Sequence, residues 1–440
     1  MGEKLDVFIY VIAWIAAGTI IFNSFDDLFI DIIYFVRGLG RRHRDDLTVS
    51  SLRALPQQSA AIMVPAWAEA PVIASMLENT LSTLDYASDR YDIFVGTYAN
   101  DPETQAQVDA VVDRAPQVHK VVVPHDGPTS KADCLNWVYQ AIVQTEDARG
   151  VRFDFLLMHD AEDVVHPLAL RLYNALIPEH DFVQTPVLPL EVPYTAWVGA
   201  TYMDEFVESH LKDMLVRGSI GGLVPSAGVG SAFARDAFEE IAMAERQQPF
   251  DPASLTEDYD IGLKFRLAGR DTYFAAHAIR RDDVGANRGA SDAVDPKEYT
   301  ESGDAEKGPR YEFIATREYF PTKFGDSVRQ RSRWILGITL QEWAKMGWQG
   351  DAAVIYSLFR DRKALFTHFA VFLGYIAFAY AIVRYVVAAI TGSGWSISEI
   401  IPTGSLLWWT VWANLGFLAW RVVMKFKVVR RIYGVGHALL

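Results

Sequence analysis

The chain has 440 residues, half of them hydrophobic, and a formal net charge of −14. That is too apolar for an ordinary soluble enzyme and too polar for a pure membrane bundle, so it points to a soluble domain tied to a few membrane spans. The acidic balance argues against a nucleic-acid binder, which carries a basic patch; the single cysteine, Cys134, excludes an intrachain disulfide and fits a reducing compartment.

Val7–Phe22 is apolar apart from Gly18 and Thr19. It is read as an uncleaved anchor: the strongest positive charge, "RGLGRRHR" (37–44), follows the run, and no clean small-residue cleavage pattern lies behind it. The run is shorter than the roughly 20 residues a span needs, and borrows from its flanks. Next comes "NSFDDLFIDIIYFVRG", with Asp27 and Asp31 on one helix face, expected as an interfacial amphipathic helix.

Strands and helices then alternate. The pattern predicts strands over 60–67, 91–98, 119–124 and 153–160, and helices over 72–84, 102–114 and 130–144. Continuous apolar strands in such an order imply a parallel α/β sheet covered on both faces. Ligands of such sheets bind outside the carboxyl ends of the strands. Here those ends lead into Pro65–Glu69, Tyr98–Asp101, His125–Lys131 and Asp160–Asp163.

In "LLMHDAEDVVHP", Asp160, Glu162 and Asp163 follow a buried strand. Carboxylates there can meet a hard divalent cation; Mg²⁺ takes only one or two of them, so Asp160 and Glu162 would suffice. Asp163 before Val164 also suits a helix N-cap, and His166 before Pro167 reads as a loop residue rather than a ligand. "VPSAGVGSAFARDAF" (224–238) places small residues where backbone can approach a ligand or simply turn. In "LTEDYDIGLKFRLAGR" (255–270), Thr256, Glu257 and Asp258 precede an amphipathic run, and the bland reading is an N-cap with two acids at the positive helix end. "DSVRQRSRWILGITLQEW" holds Gln330, Arg331, Arg333 and Trp334; arginines can clamp a diphosphate, or sit at lipid headgroups on an interfacial helix.

Leu365–Ile390 and Leu406–Val423 are read as two further spans. Basic residues follow the first span, precede the second (Arg360, Arg362, Lys363) and follow the third (Arg421, Lys425, Lys427, Arg430, Arg431), whereas the 391–403 connection has none. The positive-inside rule then puts the N-terminus outside and residues 37–364 in the cytoplasm, as a multi-pass protein.

A strand ending in Asp-Ala-acid, then Thr256-Glu257-Asp258, then "QRSRW", in that order, resembles family 2 glycosyltransferases of GT-A fold. The likeness is to the membrane-bound processive kind that includes cellulose and hyaluronan synthases, and runs over about 58–345. "HDAEDVVHP", "GPTSKADCLN" and "VPSAGVGSAF" are similar more particularly to the bacteriophage adsorption protein B group of bacterial inner-membrane glycosyltransferases. Members of that group are longer, so a truncated chain is expected.

The resemblance implies roles. Asp160 and Glu162, or Asp163, would hold Mg²⁺ or Mn²⁺ and the sugar-nucleotide diphosphate; the family has Asp where Glu162 stands. Asp258 would be the general base, in a catalytic motif with Thr256 and Glu257. Pro65, Ala66 and Glu69 match the first-strand nucleotide pattern, Tyr98 and Asp101 would meet the base, and Gly127, Lys131 and Asn136 match a Gly…Lys…Asn segment, with Lys131 near the diphosphate. Gly228, Gly230 and Ser231 would line the acceptor path; Gln330, Arg331, Arg333 and Trp334 would serve the donor, with Trp334 also stacking on an acceptor sugar.

The expected organisation is an anchor and interfacial helix over 1–45, a GT-A domain over 46–320, interfacial helices carrying QRSRW over 321–364 and two spans with a basic tail over 365–440. The expected function is metal-dependent inverting transfer from a UDP-sugar, a hexose or N-acetylhexosamine, to a surface or exported glycan at the bacterial inner membrane. Expected partners are the donor, a glycan acceptor, the bilayer and export or outer-membrane proteins, with no nucleic acid. An inactive scaffold with a relict site, and a non-processive transferase acting on a lipid carrier, are the alternatives.

Overall fold

The computed structural model describes residues 2–41, 43–276, 278–282 and 310–440. The chain opens with one helix, α1 (Gly2–Val36), unbroken by the Asn23–Ser24 pair. The segment expected as an interfacial helix is thus the continuation of the first apolar run. Its acids are not free to face headgroups. Asp26 accepts from Tyr356 Oη at 2.6 Å and Arg360 at 2.5 Å, and also pairs with Lys363. Asp31 accepts from Lys212 and from Trp420 Nε1, each at 2.7 Å. Those partners come from segments far along the chain, so local periodicity could not reveal them.

The central sheet has seven strands in the order β3-β2-β1-β4-β6-β5-β7. Here β1 is Ala60–Pro65, β2 Tyr91–Tyr98, β3 Val118–Val123, β4 Phe155–Met158, β5 Phe182–Gln184, β6 Ser231–Ala234 and β7 Thr272–Phe274. All neighbours are parallel except β6, which runs antiparallel to both β4 and β5. The period of two sorts each strand between faces. Ile62, Val64, Ile93, Val95 and Leu157 point to one core, where helices α2 (Ile73–Thr83), α3 (Pro102–Val112) and α5 (Ala169–Leu176) pack. Ala61, Met63, Phe94, Leu156 and Met158 point to the other, covered by α4 (Lys131–Arg149), α6 (Arg235–Ala244) and α7 (Glu257–Leu267).

Two features bring late residues to the sheet edge. Thr316–Glu318 pairs in parallel with Val187–Pro189, and Val164 exchanges backbone hydrogen bonds with Arg317 at 2.7 and 3.2 Å. Helix α8 (Phe324–Trp334) then runs into a π-helical turn, Ile335–Gln341.

Helices α9 (Ala352–Thr391) and α10 (Leu406–Ala438) follow, and both pack on α1. Among the described residues two helices, Lys4–Val36 and Ala352–Thr391, have the length and apolarity to cross a membrane. The third expected span is helical, but its tryptophans, Asn414 and Arg421 leave it more polar than those two.

Candidate active site

One cavity of about 370 Å³ lies where β1, β2 and β4 end. The loop after β1 brings Pro65, Ala66, Trp67 and Glu69 to its wall. Asp101 does not line the cavity: its carboxylate accepts from the Ala68 N–H at 2.7 Å and caps α3 through the Thr104 N–H at 3.3 Å. It shapes the loop from behind. Tyr98 does line it, its hydroxyl 2.5 Å from Thr129 Oγ1 and its ring edge-on to Trp67 at 5.2 Å. Gly127 lies beneath the Trp67 ring and exchanges two hydrogen bonds with the Asn100 side chain, at 2.7 and 2.8 Å. Asn136 faces away, tying the Phe250 backbone at 2.8 and 3.1 Å.

Lys131, the first residue of α4 after the cap Ser130, lines the cavity. It pairs with Asp160 and sits 3.9 Å from Glu257. Burial opposes its charge, but Asp160, Glu257 and Asp258 outweigh that and hold it protonated far above the usual lysine range.

The acids after β4 divide. Asp160 and Glu162 line the cavity. Asp163 is fully buried below it, 2.7 Å from His159 Nδ1 and accepting from the Asp160 N–H at 3.1 Å. It therefore supports the turn that presents Asp160. His166 lies outside the lining, 3.1 Å from Glu312. Desolvation, then the nearby Asp160, Glu69 and Asp163, push Glu162 up to about 7.

Thr256 stands at the start of α7, but its hydroxyl makes no capping bond and is buried without a partner. Gly337 of the π-helical turn presses on it: a Cβ there would lie 2.6 Å from the Thr256 side chain. Asp258 lines the cavity, its Oδ1 accepting from the Tyr259 N–H at 2.8 Å. Burial raises Asp258 above the ordinary carboxylate range, and Lys131 opposes that rise. Burial and then Asp258 push Glu257 up to about 7.

Of the glycine segment, Gly228 is the residue at the acids. With φ +78 it occupies the left-handed region, and a Cβ there would lie 2.9 Å from Asp258 Oδ2 and 3.3 Å from Lys131 Nζ. Gly228→Ala is expected to cost about 1–2 kcal/mol of stability from the backbone alone, and to lower turnover about tenfold or more by displacing Asp258. Thermal unfolding and turnover on the same preparation separate the two. Gly230 and Ser231 lie one layer deeper. Gly230 packs on Thr185 and Thr316, and the buried Ser231 hydroxyl bonds Gln184 at 2.6 Å. Ala227 and Val229, on either side of Gly228, line the cavity instead.

Helix α8 sorts its motif by helical period. Gln330, Arg333 and Trp334, at i, i+3 and i+4, line the cavity, and Gly337 continues the stripe. Arg331 points elsewhere: it pairs with Glu205 and lies 4.3 Å from the Tyr202 ring centroid. Arg331→Ala should therefore cost about 1 kcal/mol or less of stability, as a partly exposed pair, and leave donor KM unchanged. Arg333→Ala should raise donor KM. A rise in KM for the first variant and none for the second would reverse this assignment.

Among the lining residues not singled out in the sequence, Trp67, Glu318 and Phe320 carry an aromatic ring or a charge. Six carboxylates (Glu69, Asp160, Glu162, Glu257, Asp258, Glu318) face two cationic side chains, Lys131 and Arg333. Burial, then Asp163, Asp160 and Glu162, raise Glu318 well above the usual range. Among the described residues no three His, Cys, Asp or Glu side chains form a ready-made metal cage. Asp160 and Glu162, both oxygen donors in the lining, fit a hard divalent cation that takes one or two carboxylates and completes its shell from water and ligand oxygens.

A sheet of this order with an acid-lined cavity at its carboxyl edge is the GT-A architecture. The chain belongs to glycosyltransferase family 2: the model "Glycosyltransferase like family 2" matches residues 56–337. Two curated relatives, bacteriophage adsorption protein B of Escherichia coli strain K12 and bacteriophage N4 adsorption protein B of E. coli O157:H7, are each 38% identical over 451 residues, covering 100% of this chain and 58% of their own length. The chain therefore spans a little over half of those relatives. Among solved structures, the mannosyltransferase PcManGT from Pyrobaculum calidifontis, in complex with GDP-Man and Mn²⁺, aligns over 99% of this chain and 98% of its own with a TM-score of 0.54. At 16% identity that likeness concerns the fold alone.

Proposed function

We propose that this chain is a membrane-embedded, metal-dependent, inverting glycosyltransferase that moves a sugar from a nucleoside diphosphate to a glycan acceptor at the bacterial inner membrane. The observation that carries this is the meeting of Asp160, Glu162, Lys131, Asp258 and Arg333 in one cavity. Two long apolar helices packed on each other support the membrane location, and the basic residues at their expected cytoplasmic ends support an outside N-terminus.

In this reading Asp160 and Glu162 would hold Mg²⁺ or Mn²⁺, whose charge would stabilise the leaving diphosphate. Lys131, paired with Asp160, and Arg333 add positive charge to the cavity. Asp258, ionised, takes the proton of the acceptor hydroxyl while that oxygen bonds the anomeric carbon and the bond to the diphosphate breaks. Trp334 and Phe320 give an apolar wall for a sugar ring, and Trp67 with Tyr98 an aromatic wall for a nucleobase.

Uracil, in a UDP-linked donor, is the base expected from the family resemblance. Asp101, the carboxylate expected to read uracil, is engaged as a cap, so the base stays part of the test. The experiment is a panel of UDP- and GDP-linked sugars with Mg²⁺ or Mn²⁺, read by release of nucleoside diphosphate. Turnover of at least one donor is expected; none across the panel with folded protein would refute the proposal. A surface or exported polysaccharide and an export or outer-membrane partner are further expectations of the same reading, and product length on a gel separates a processive product from transfer to a lipid carrier.

A further inference from the structure

Helix α7 carries Asp258 at its second position, yet much of its outer face packs on the start of α9 rather than on the sheet. Tyr259 and Leu263 join Leu223, Val354 and Leu358 in one buried cluster. One turn further on, Arg266 donates to Asp351 at 2.7 Å and to the Gly221 carbonyl at 2.8 Å. The Ser357 hydroxyl accepts the Leu223 N–H at 3.0 Å.

At the centre is a chain of polar contacts. The Tyr259 hydroxyl donates to Asp361 Oδ2 at 2.8 Å, and Arg217 holds the same carboxylate through two bonds at 3.0 and 2.5 Å. Burial and the neighbouring Asp361 hold the Tyr259 phenol far above its usual range, so it remains a donor. At its other end Tyr259 offers its backbone N–H to Asp258 Oδ1 at 2.8 Å. One residue thus grips the base carboxylate and the first turns of α9.

We propose that Tyr259, Asp361 and Arg217 form a positioning network: it sets the rotation of α7 against α9 and so aims Asp258 at the acceptor hydroxyl. None of the three lines the cavity, so none touches the substrate. The inference rests on the reading of Asp258 as general base. It adds that the base is aligned by the cytoplasmic end of a candidate membrane helix.

The test uses the full chain in detergent. Turnover is measured with mixed UDP- and GDP-linked sugars, and binding with Mn²⁺–UDP and Mn²⁺–GDP. Tyr259→Phe removes one hydroxyl and leaves the Arg217–Asp361 pair intact. It is expected to lower kcat about tenfold, as a small misplacement of a reacting group does, with donor KM and nucleotide affinity within about twofold of the parent. Asp361→Asn keeps an oxygen acceptor for the hydroxyl and should fall between the two. Asp361→Ala leaves Arg217 buried and unpaired; if it fails to accumulate, the two gentler variants decide.

Full kcat in Tyr259→Phe, or a matched loss of kcat and thermal stability, would overturn the positioning role. Asp258→Asn in the same series separates the two ideas. If it is inactive while Tyr259→Phe is fully active, only the network fails. If it turns over normally, the base reading itself fails.

Discussion

Asp258→Asn should cut turnover by orders of magnitude while leaving nucleotide binding and folding intact. The amide keeps the side chain's shape and its bond from the Tyr259 N–H, but it cannot take the acceptor's proton. General bases contribute about 10²–10⁴ in rate, so kcat should fall by that amount at saturating donor. The pH profile gives the same carboxylate a second signature. Burial raises the Asp258 pKa and Lys131 lowers it. Activity needs the ionised form, so the acid limb of kcat should lie above the ordinary aspartate range near 4. Lys131→Met removes the opposing charge and should move that limb to still higher pH. A limb that stays put, or moves down, would contradict the site's electrostatics.

The second large effect concerns the cation. A chelator should eliminate turnover, and Mg²⁺ or Mn²⁺ should restore it. Asp160→Asn should lower kcat/KM by on the order of 10²–10³, the several kcal/mol a Lewis acid supplies at a leaving diphosphate. Glu162 adds a proton-linked term. Its raised pKa of about 7 means it is partly protonated near neutrality, so a cation that needs its carboxylate must displace that proton. Cation affinity should therefore rise from pH 6 to pH 8. The sign for the empty protein is opposite. A carboxylate whose folded pKa lies above its unfolded one destabilises the fold once pH exceeds the unfolded value, with the cost growing up to the folded pKa. Loaded protein should gain thermal stability relative to empty protein across that window; equal stability at both pH values would argue against Glu162 as a ligand.

The strand–helix alternation from 60 to 158 was legible because buried parallel strands read as continuous apolar runs with turn signals between them. Beyond it the strands shrink to three or four residues, β5, β6 and β7, and one of them reverses direction, so no periodic window could display them. Their pairing is what brings Gly228 to Asp258. Glu318 and Phe320 reach the cavity through a three-residue pairing with Val187–Pro189, a contact with no local sequence signal.

Other signals were present. Asp101 directly precedes a proline at the first helical position, a capping pattern that accounts for its absence from the cavity. The i, i+3, i+4 rule separates Arg331 from Gln330, Arg333 and Trp334. Trp67 sits two residues after Pro65 at a strand end, where ligands collect in such sheets. Asp163 was harder: its burial against His159 depends on the turn after β4, and the residue type alone suits a ligand equally well.

The central claim is that the acids at 160 and 258 serve one substrate in one cavity. The most direct measurement is an experimental structure of the full chain with Mn²⁺ and a nucleoside diphosphate. The expected map shows the ion on Asp160, the diphosphate beside Lys131 and Arg333, and Asp258 open to the space beyond the terminal phosphate. A nucleotide bound elsewhere, or packed side chains between the diphosphate and Asp258, would contradict it.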